Sequence, residues 1–190
     1  MTEYLVEMLK NHFTIATLSR GYKRKTKGFA IADKNTTAID IGDEPMLFHV
    51  KYPDITVAVG EERLVAIPQL LHAMPETEVI ILDDAFQHRQ VKAGFNILLT
   101  DYKNMYYKDF LVPAGNLRDI PQAANRAQVI VVTKCPCNMD NTEKEKIMNR
   151  LKPVKDQHVF FTENKYGRPY HIFNKQYGEL RNDTSLLLIT

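Results

Sequence analysis

No stretch of this chain follows G-x-x-x-x-G-K-[ST], the glycine-rich loop whose backbone N–H groups cradle nucleotide phosphates. Long hydrophobic runs are missing as well. Nothing approaches the roughly 20 apolar residues that span a bilayer, so no transmembrane segment is expected. The opening M-T-E-Y-L-V-E-M-L carries glutamates and no basic stretch, which is not the pattern of a secretory signal. Cysteine is scarce: Cys135 and Cys137, in K-C-P-C, are the only 2. One intervening residue is a poor spacing for structural zinc, and no second Cys/His pair follows at a usual distance. A zinc module and a disulfide framework are therefore set aside in favour of free thiols in a reducing cytoplasm. The formal net charge of +2 is too small to argue for a nucleic-acid or membrane partner by itself. There is no internal repeat and no low-complexity segment.

What is present reads as an ordinary globular chain of 190 residues, 44% hydrophobic and 25% charged. That length suits one sizeable core, or one domain with part of a second. Periodicity predicts a helix over Glu3–His12 and a β-rich run over Phe13–Leu18 that ends in Ser19-Arg-Gly-Tyr22. Two short strands are expected at Phe29–Ala32 and Ala38–Ile41, about a polar turn. Asp43 is expected to cap a helix with Pro45 in its first turn, stopping before Pro53. Ile55–Val59, Val79–Leu82, Phe95–Leu99, Val129–Val132 and His158–Phe161 read as apolar strands. Glu61–Met74 and Thr142–Leu151 read as helices, the first with Pro68 as an awkward interior residue. Leu186–Ile189 is a last apolar run, and Tyr166–Arg181 a polar hairpin or crossing. Continuous apolar strands separated by helices predict an α/β fold, a mostly parallel sheet with flanking helices.

The strongest chemical signal is V-I-I-L-D-D-A-F-Q-H, Val79 to His88. A buried strand here delivers Asp83 and Asp84 to a sheet edge, where carboxylates hold Mg²⁺ beside nucleotide phosphates. The alternative is that Asp84 merely caps a helix starting at Ala85. Asp43 and Glu44 form a second pair, able to take a proton from an acceptor hydroxyl or simply to favour a helix N-terminus. Arg63 and Arg118 carry guanidinium groups suited to phosphoryl charge, or lie on the surface. The basic run from Arg20 to Lys27 is an anion-binding patch or a solvated loop. Tyr22 within it could suggest RNA, but no RNA-binding module accompanies it. His88, after Gln87, is a site residue by position or a structural histidine.

The order of these elements is more telling than any one of them. S-R-G-Y (19–22), G-D-E-P (42–45), V-G-E-x-R (59–63), L-D-D-A-F-Q-H (82–88) and L-V-P-A-G-N-L-R-D (111–119) follow one another, and V-I-V-V-T-K-C-P (129–136) comes next. The series resembles the tetraacyldisaccharide 4′-kinases of lipid A synthesis, over nearly the whole chain. The resemblance implies a P-loop kinase fold and transfer of the γ-phosphate of ATP to the 4′-hydroxyl of a tetraacyldisaccharide 1-phosphate. The full-length family works at the cytoplasmic face of the bacterial inner membrane, in peripheral contact with it. It implies Asp43 as base with Glu44 beside it, and Asp83 and Asp84 as the Mg²⁺ pair. Arg63 and Arg118 are implied as active-site arginines, with Gln87, His88, Ser19, Arg20 and Tyr22 near the nucleotide. Ala85 and Lys23 stand where glycine is frequent in the family.

By the same resemblance the phosphate loop would precede residue 1, and a D-H-H-x-F motif would follow Thr190. Residues 1–165 are then expected to be the kinase's α/β domain without its first strand and phosphate loop, and 166–190 a crossover. Such a chain alone is expected to be soluble and to have little activity. The competing expectation is a non-catalytic remnant that binds a partner. A basic-loop nucleic-acid binder is a third reading, and no nucleic-acid partner is expected.

Overall fold

The computed structural model describes residues 1–165, 167–172 and 176–178. The apolar run 186–189 and part of the polar stretch after 165 lie outside the described residues. The chain divides into two compact units, residues 1–85 with 167–190, and residues 86–166.

The first unit opens with α1 (Thr2–Leu9), β1 (Ile15–Ser19) and β2 (Ala30–Ile31). It continues with α2 (Ala38–Ile41), α3 (Asp43–Lys51), β3 (Thr56–Val59), α4 (Arg63–Ala73) and β4 (Val79–Leu82). The strand order is β2-β3-β1-β4. β3, β1 and β4 are parallel, and the two-residue β2 lies antiparallel on β3.

Strand alternation sends the apolar residues of these runs to both faces of the sheet. Ile15, Val57, Val59 and Ile81 pack with Val6 of α1 and with Ile41 and Tyr52. Ala16, Leu18 and Ala58 point the other way, onto Ala66 and Leu70 of α4. Both sheet faces are thus covered, as a parallel sheet requires. Full burial of a leucine such as Leu18 or Leu70 contributes about 1.5–3 kcal/mol.

The second unit holds β5 (Ile97–Asp101), β6 (Val129–Thr133), α5 (Asn141–Leu151) and β7 (His158–Phe161), with short 3₁₀ turns at Tyr106–Lys108 and Pro121–Arg126. Its strands are all parallel in the order β5-β6-β7. α5 crosses between β6 and β7 and buries Ile147 and Leu151 against Val132, Met105 and Cys135. Asp140 caps α5, accepting the Glu143 N–H at 2.7 Å.

Three local expectations change. Ala38–Ile41 is helical, because Thr37 and Asp40 form a reciprocal capping box that outweighs the strand-like alternation of A-I-D-I. α3 is capped by Gly42, which places Asp43 inside the first turn. No helix starts at Ala85, so Asp84 caps nothing there. The α/β architecture with parallel sheets and flanking helices is as expected.

Candidate functional site

The carboxyl ends of β1, β3 and β4 meet at one edge of the first sheet. Leu18 pairs in register with Leu82 and with Ala58. Beyond the strands, the Asp83 N–H donates to the Leu18 carbonyl at 3.1 Å, and the Gly60 N–H to the Ser19 carbonyl at 3.0 Å. The loops after Ser19, Gly60 and Leu82 therefore start side by side, where open parallel sheets place their ligand crevices.

Asp83 is half-buried and accepts the Thr2 hydroxyl at 2.6 Å. Asp84 is exposed and has φ +43°, a left-handed backbone that aspartate tolerates better than most residues. The turn places the two aspartates directly after β4.

Arg63 opens α4 and is only 2% exposed. Its Nη1 donates to the Gly60 carbonyl, while Nε and Nη2 are buried with no partner among the described residues. Burial pushes its pKa down, and Arg20 adds to that effect. Asp83, Asp84 and Glu61 oppose it. A guanidinium stays protonated throughout. Arg63, Arg20, Asp83 and Asp84 thus share one electrostatic field at the sheet edge.

Asp43 and Glu44 stand exposed in the first turn of α3, where the helix dipole favours their charge. Gly42 before them has φ +95°, and a Cβ there would lie 2.9 Å from the Tyr22 carbonyl. Only glycine lets the two backbones approach so closely. Tyr22 leaves its ring 75% exposed, with the Lys23 ammonium 5.4 Å from its centre. The Ser19 hydroxyl accepts the Gly21 N–H at 3.3 Å, shaping the same turn.

Arg24 and Glu61 were not singled out by sequence reasoning. The Arg24 side chain is 2% exposed and meets Glu61 Oε1 at 2.6 Å. Only the V-G-E-x-R motif pointed to Glu61, and nothing separated Arg24 from its basic neighbours. Thr2, the partner of Asp83, carried no sequence signal at all.

Gln87, His88 and Arg118 belong to the second unit. Gln87 and Arg118 are exposed, and His88 is half-buried. Arg118 lies beside Asp119, which accepts Arg89 at 2.7 and 2.9 Å and Arg126 at 3.1 Å. The loop before it is held by Asp109, whose carboxylate accepts the Asn116 N–H at 3.2 Å. A groove of about 620 Å³ in this unit, between the Tyr102–Lys108 segment and α5, contains none of the candidate residues.

Among the described residues no cluster of three or more His, Cys, Asp or Glu could hold a metal. Cys135 is buried and Cys137 exposed, both as free thiols. Two carboxylates alone do not make a zinc or calcium cage. They do suit Mg²⁺, which keeps several waters and takes its other ligands from phosphates. Arg63 Nε and Nη2 are donors with no partner among the described residues.

The fold is of the P-loop kinase class, with parallel sheets and flanking helices, and Asp83 and Asp84 follow directly after β4. The family model for tetraacyldisaccharide-1-P 4′-kinase matches residues 1–179. The chain belongs to the tetraacyldisaccharide 4′-kinase family. It is 47% identical to the tetraacyldisaccharide 4′-kinase of Flavobacterium johnsoniae, over 98% of this chain and 55% of that protein. It is 45% identical to the corresponding protein of Bacteroides fragilis, over all of this chain and 52% of the relative. Among solved structures it is similar to LpxK from Aquifex aeolicus, described as an "apo" form in complex with ATP. That match has a TM-score of 0.61 at 29% identity and covers 86% of this chain and 65% of the other. The chain spans about half the length of the curated relatives it matches.

Proposed function

We propose that this chain carries acceptor-activating and metal-binding parts of a kinase that moves the γ-phosphate of ATP onto the 4′-hydroxyl of a tetraacyldisaccharide 1-phosphate. The observation that carries the reading is Arg63: a buried cation with two nitrogens unpartnered among the described residues, in the field of Asp83 and Asp84. Family membership supports the choice of substrate. Bound Mg²⁺, held by Asp83 and Asp84, would neutralise phosphate charge. Arg63 and Arg118 would donate to phosphoryl oxygens as their charge spreads. Asp43 would accept the proton as the acceptor O–H bond breaks and its oxygen bonds to phosphorus, with ADP leaving. Glu44 would hold water and substrate hydroxyls beside it. Ser19, Arg20, Tyr22, Gln87 and His88 would line the nucleotide. An acylated substrate further implies that the kinase works against a membrane surface. No helix among the described residues is long and apolar enough to cross one.

The test is transfer of labelled γ-phosphate from ATP to the disaccharide precursor by a hybrid in which this chain replaces the matching half of a full-length relative, with and without Asp43→Ala. Loss of about 10²–10⁴-fold in kcat is expected for removing a general base. Absence of transfer by the unaltered hybrid would sink the reading, and full activity in Asp43→Ala would refute the base.

A further inference from the structure

Glu61 is two residues from Arg63 and acts on its charge, yet the two do not pair. The reason is Arg24. Its Nη2 holds Glu61 Oε1 at 2.6 Å, while the Gly28 N–H holds Oε2 at 3.0 Å. Both carboxylate oxygens are therefore engaged away from Arg63. Burial works to raise the Glu61 pKa, but the Arg24 hydrogen bond and nearby backbone N–H groups outweigh it, so the carboxyl titrates below its ordinary range. Glu61 thus stays an anion beside an underpartnered guanidinium.

Arg24 is itself built in. Nη2 also donates to the Gly28 carbonyl, and Nη1 to the Thr26 hydroxyl at 3.3 Å. The Thr26 hydroxyl in turn donates to the Asp40 carbonyl at the end of α2. The stem of Arg24 lies under Gly21, where a Cβ would come within 2.5 Å of its Cδ and 2.9 Å of the Ile41 carbonyl. The other charges around Arg63 are Arg20, Asp83 and Asp84.

We propose that Arg24 is a positioning residue that keeps Glu61 from neutralising Arg63, so that the two buried Arg63 nitrogens stay available to phosphate oxygens. Without Arg24, Glu61 loses its partner two residues from Arg63 and pairs with it, and a guanidinium meant for substrate is taken up internally. The effect falls on transition-state charge and hence on kcat more than on KM. The proposal rests on the kinase reading for its kinetic consequence, but the Arg24–Glu61–Arg63 geometry can be read without it.

The experiment compares Arg24→Met, Glu61→Gln and the double variant in the same hybrid of this chain with the rest of a full-length relative. The readouts are phosphoryl transfer, urea unfolding, and the ¹⁵Nε–¹Hε NMR resonance of Arg63. In Arg24→Met, kcat is expected to fall about 10- to 100-fold, less than the roughly 10²–10³ of deleting such a donor outright, with KM for ATP within about 3-fold. The Arg63 resonance is expected to shift. In the double variant kcat recovers at least about 5-fold and the resonance returns, although the fold has lost one more hydrogen-bonding group. A merely structural Arg24 predicts the opposite, a double variant no better than the single. That result, or an Arg63 resonance identical in all variants, overturns the proposal. If Arg24→Met does not fold, Arg24→Gln, which keeps a donor without charge, carries the same comparison. Absence of transfer by the unaltered hybrid counts against the kinase reading alone, because the resonance still decides the role of Arg24.

Discussion

The Thr2 hydroxyl donates to Asp83 Oδ1 at 2.6 Å, tying the start of α1 to the end of β4 across 81 residues of sequence. The bond fixes one oxygen of the Asp83 carboxylate. Thr2→Val keeps the shape and removes the donor. Stability is expected to drop by about 1 kcal/mol in urea denaturation. The Mg²⁺ concentration for half-maximal transfer should rise several-fold, because Asp83 gains rotameric freedom. An unaltered Mg²⁺ dependence would mean that this hydroxyl does not orient the pair.

Gly42→Ala tests the backbone junction ahead of Asp43. The substitution places a Cβ on a residue with φ +95°, 2.9 Å from a carbonyl oxygen. The strain of φ > 0 alone is about 1–2 kcal/mol, and the close approach adds to it. Thermal denaturation should show a lower Tm than Thr36→Ala, a substitution in the preceding loop. The loss of phosphoryl transfer should exceed what reduced folded population explains.

Asp140→Ala removes the cap of α5. Helix caps of this kind are worth about 0.5–2 kcal/mol, so a loss in that range is expected from chemical denaturation. Asp140→Asn should retain most of the stability. If the alanine and asparagine variants lose the same amount, the side-chain oxygen is not the stabilising group.

The pair between Glu3 and Lys51 should appear in the acid limb of stability. The Lys51 hydrogen bond holds the Glu3 carboxyl below its ordinary value, burial opposing, with Lys51 charge and the Tyr52 hydroxyl adding to the depression. A depressed carboxyl stabilises the fold above its unfolded pKa of about 4.3, and that contribution is lost as pH falls through the lower folded value. Glu3→Gln should therefore be less stable than the parent at pH 7, with the difference closing at lower pH. A constant difference down to pH 2.5 would show that charge on Glu3 does not matter.

The strands were the most legible elements, since runs such as V-I-I-L and V-I-V-V have few other ways to be buried. α5 was legible from its charge pattern and α1 from its apolar face. Ala38–Ile41 was misread because alternation over four residues cannot distinguish a strand from one helical turn. The deciding feature was the Thr37–Asp40 capping box flanking it. Asp43 looked like a cap because aspartate often is one, but the tight approach of Tyr22 gave that place to Gly42. Asp83 and Asp84 were visible as a pair, and their turn geometry was not, since φ +43° at Asp84 depends on what the chain does after β4.

The residues by themselves determined the α/β class, the existence of most strands and helices and the family, because burial periodicity and ordered motifs are properties of the chain alone. The pairing of β1 with both β3 and β4, the strand order, and the partners of Asp83 and Glu61 were decided only by the tertiary structure. These are contacts between residues far apart in sequence, whose energies depend on which groups the fold brings within hydrogen-bonding distance. Arg24 and Arg63 show the difference most directly. Both are arginines a few residues after a glycine, and only the folded chain gives one a carboxylate partner and leaves the other with two buried nitrogens unpartnered among the described residues.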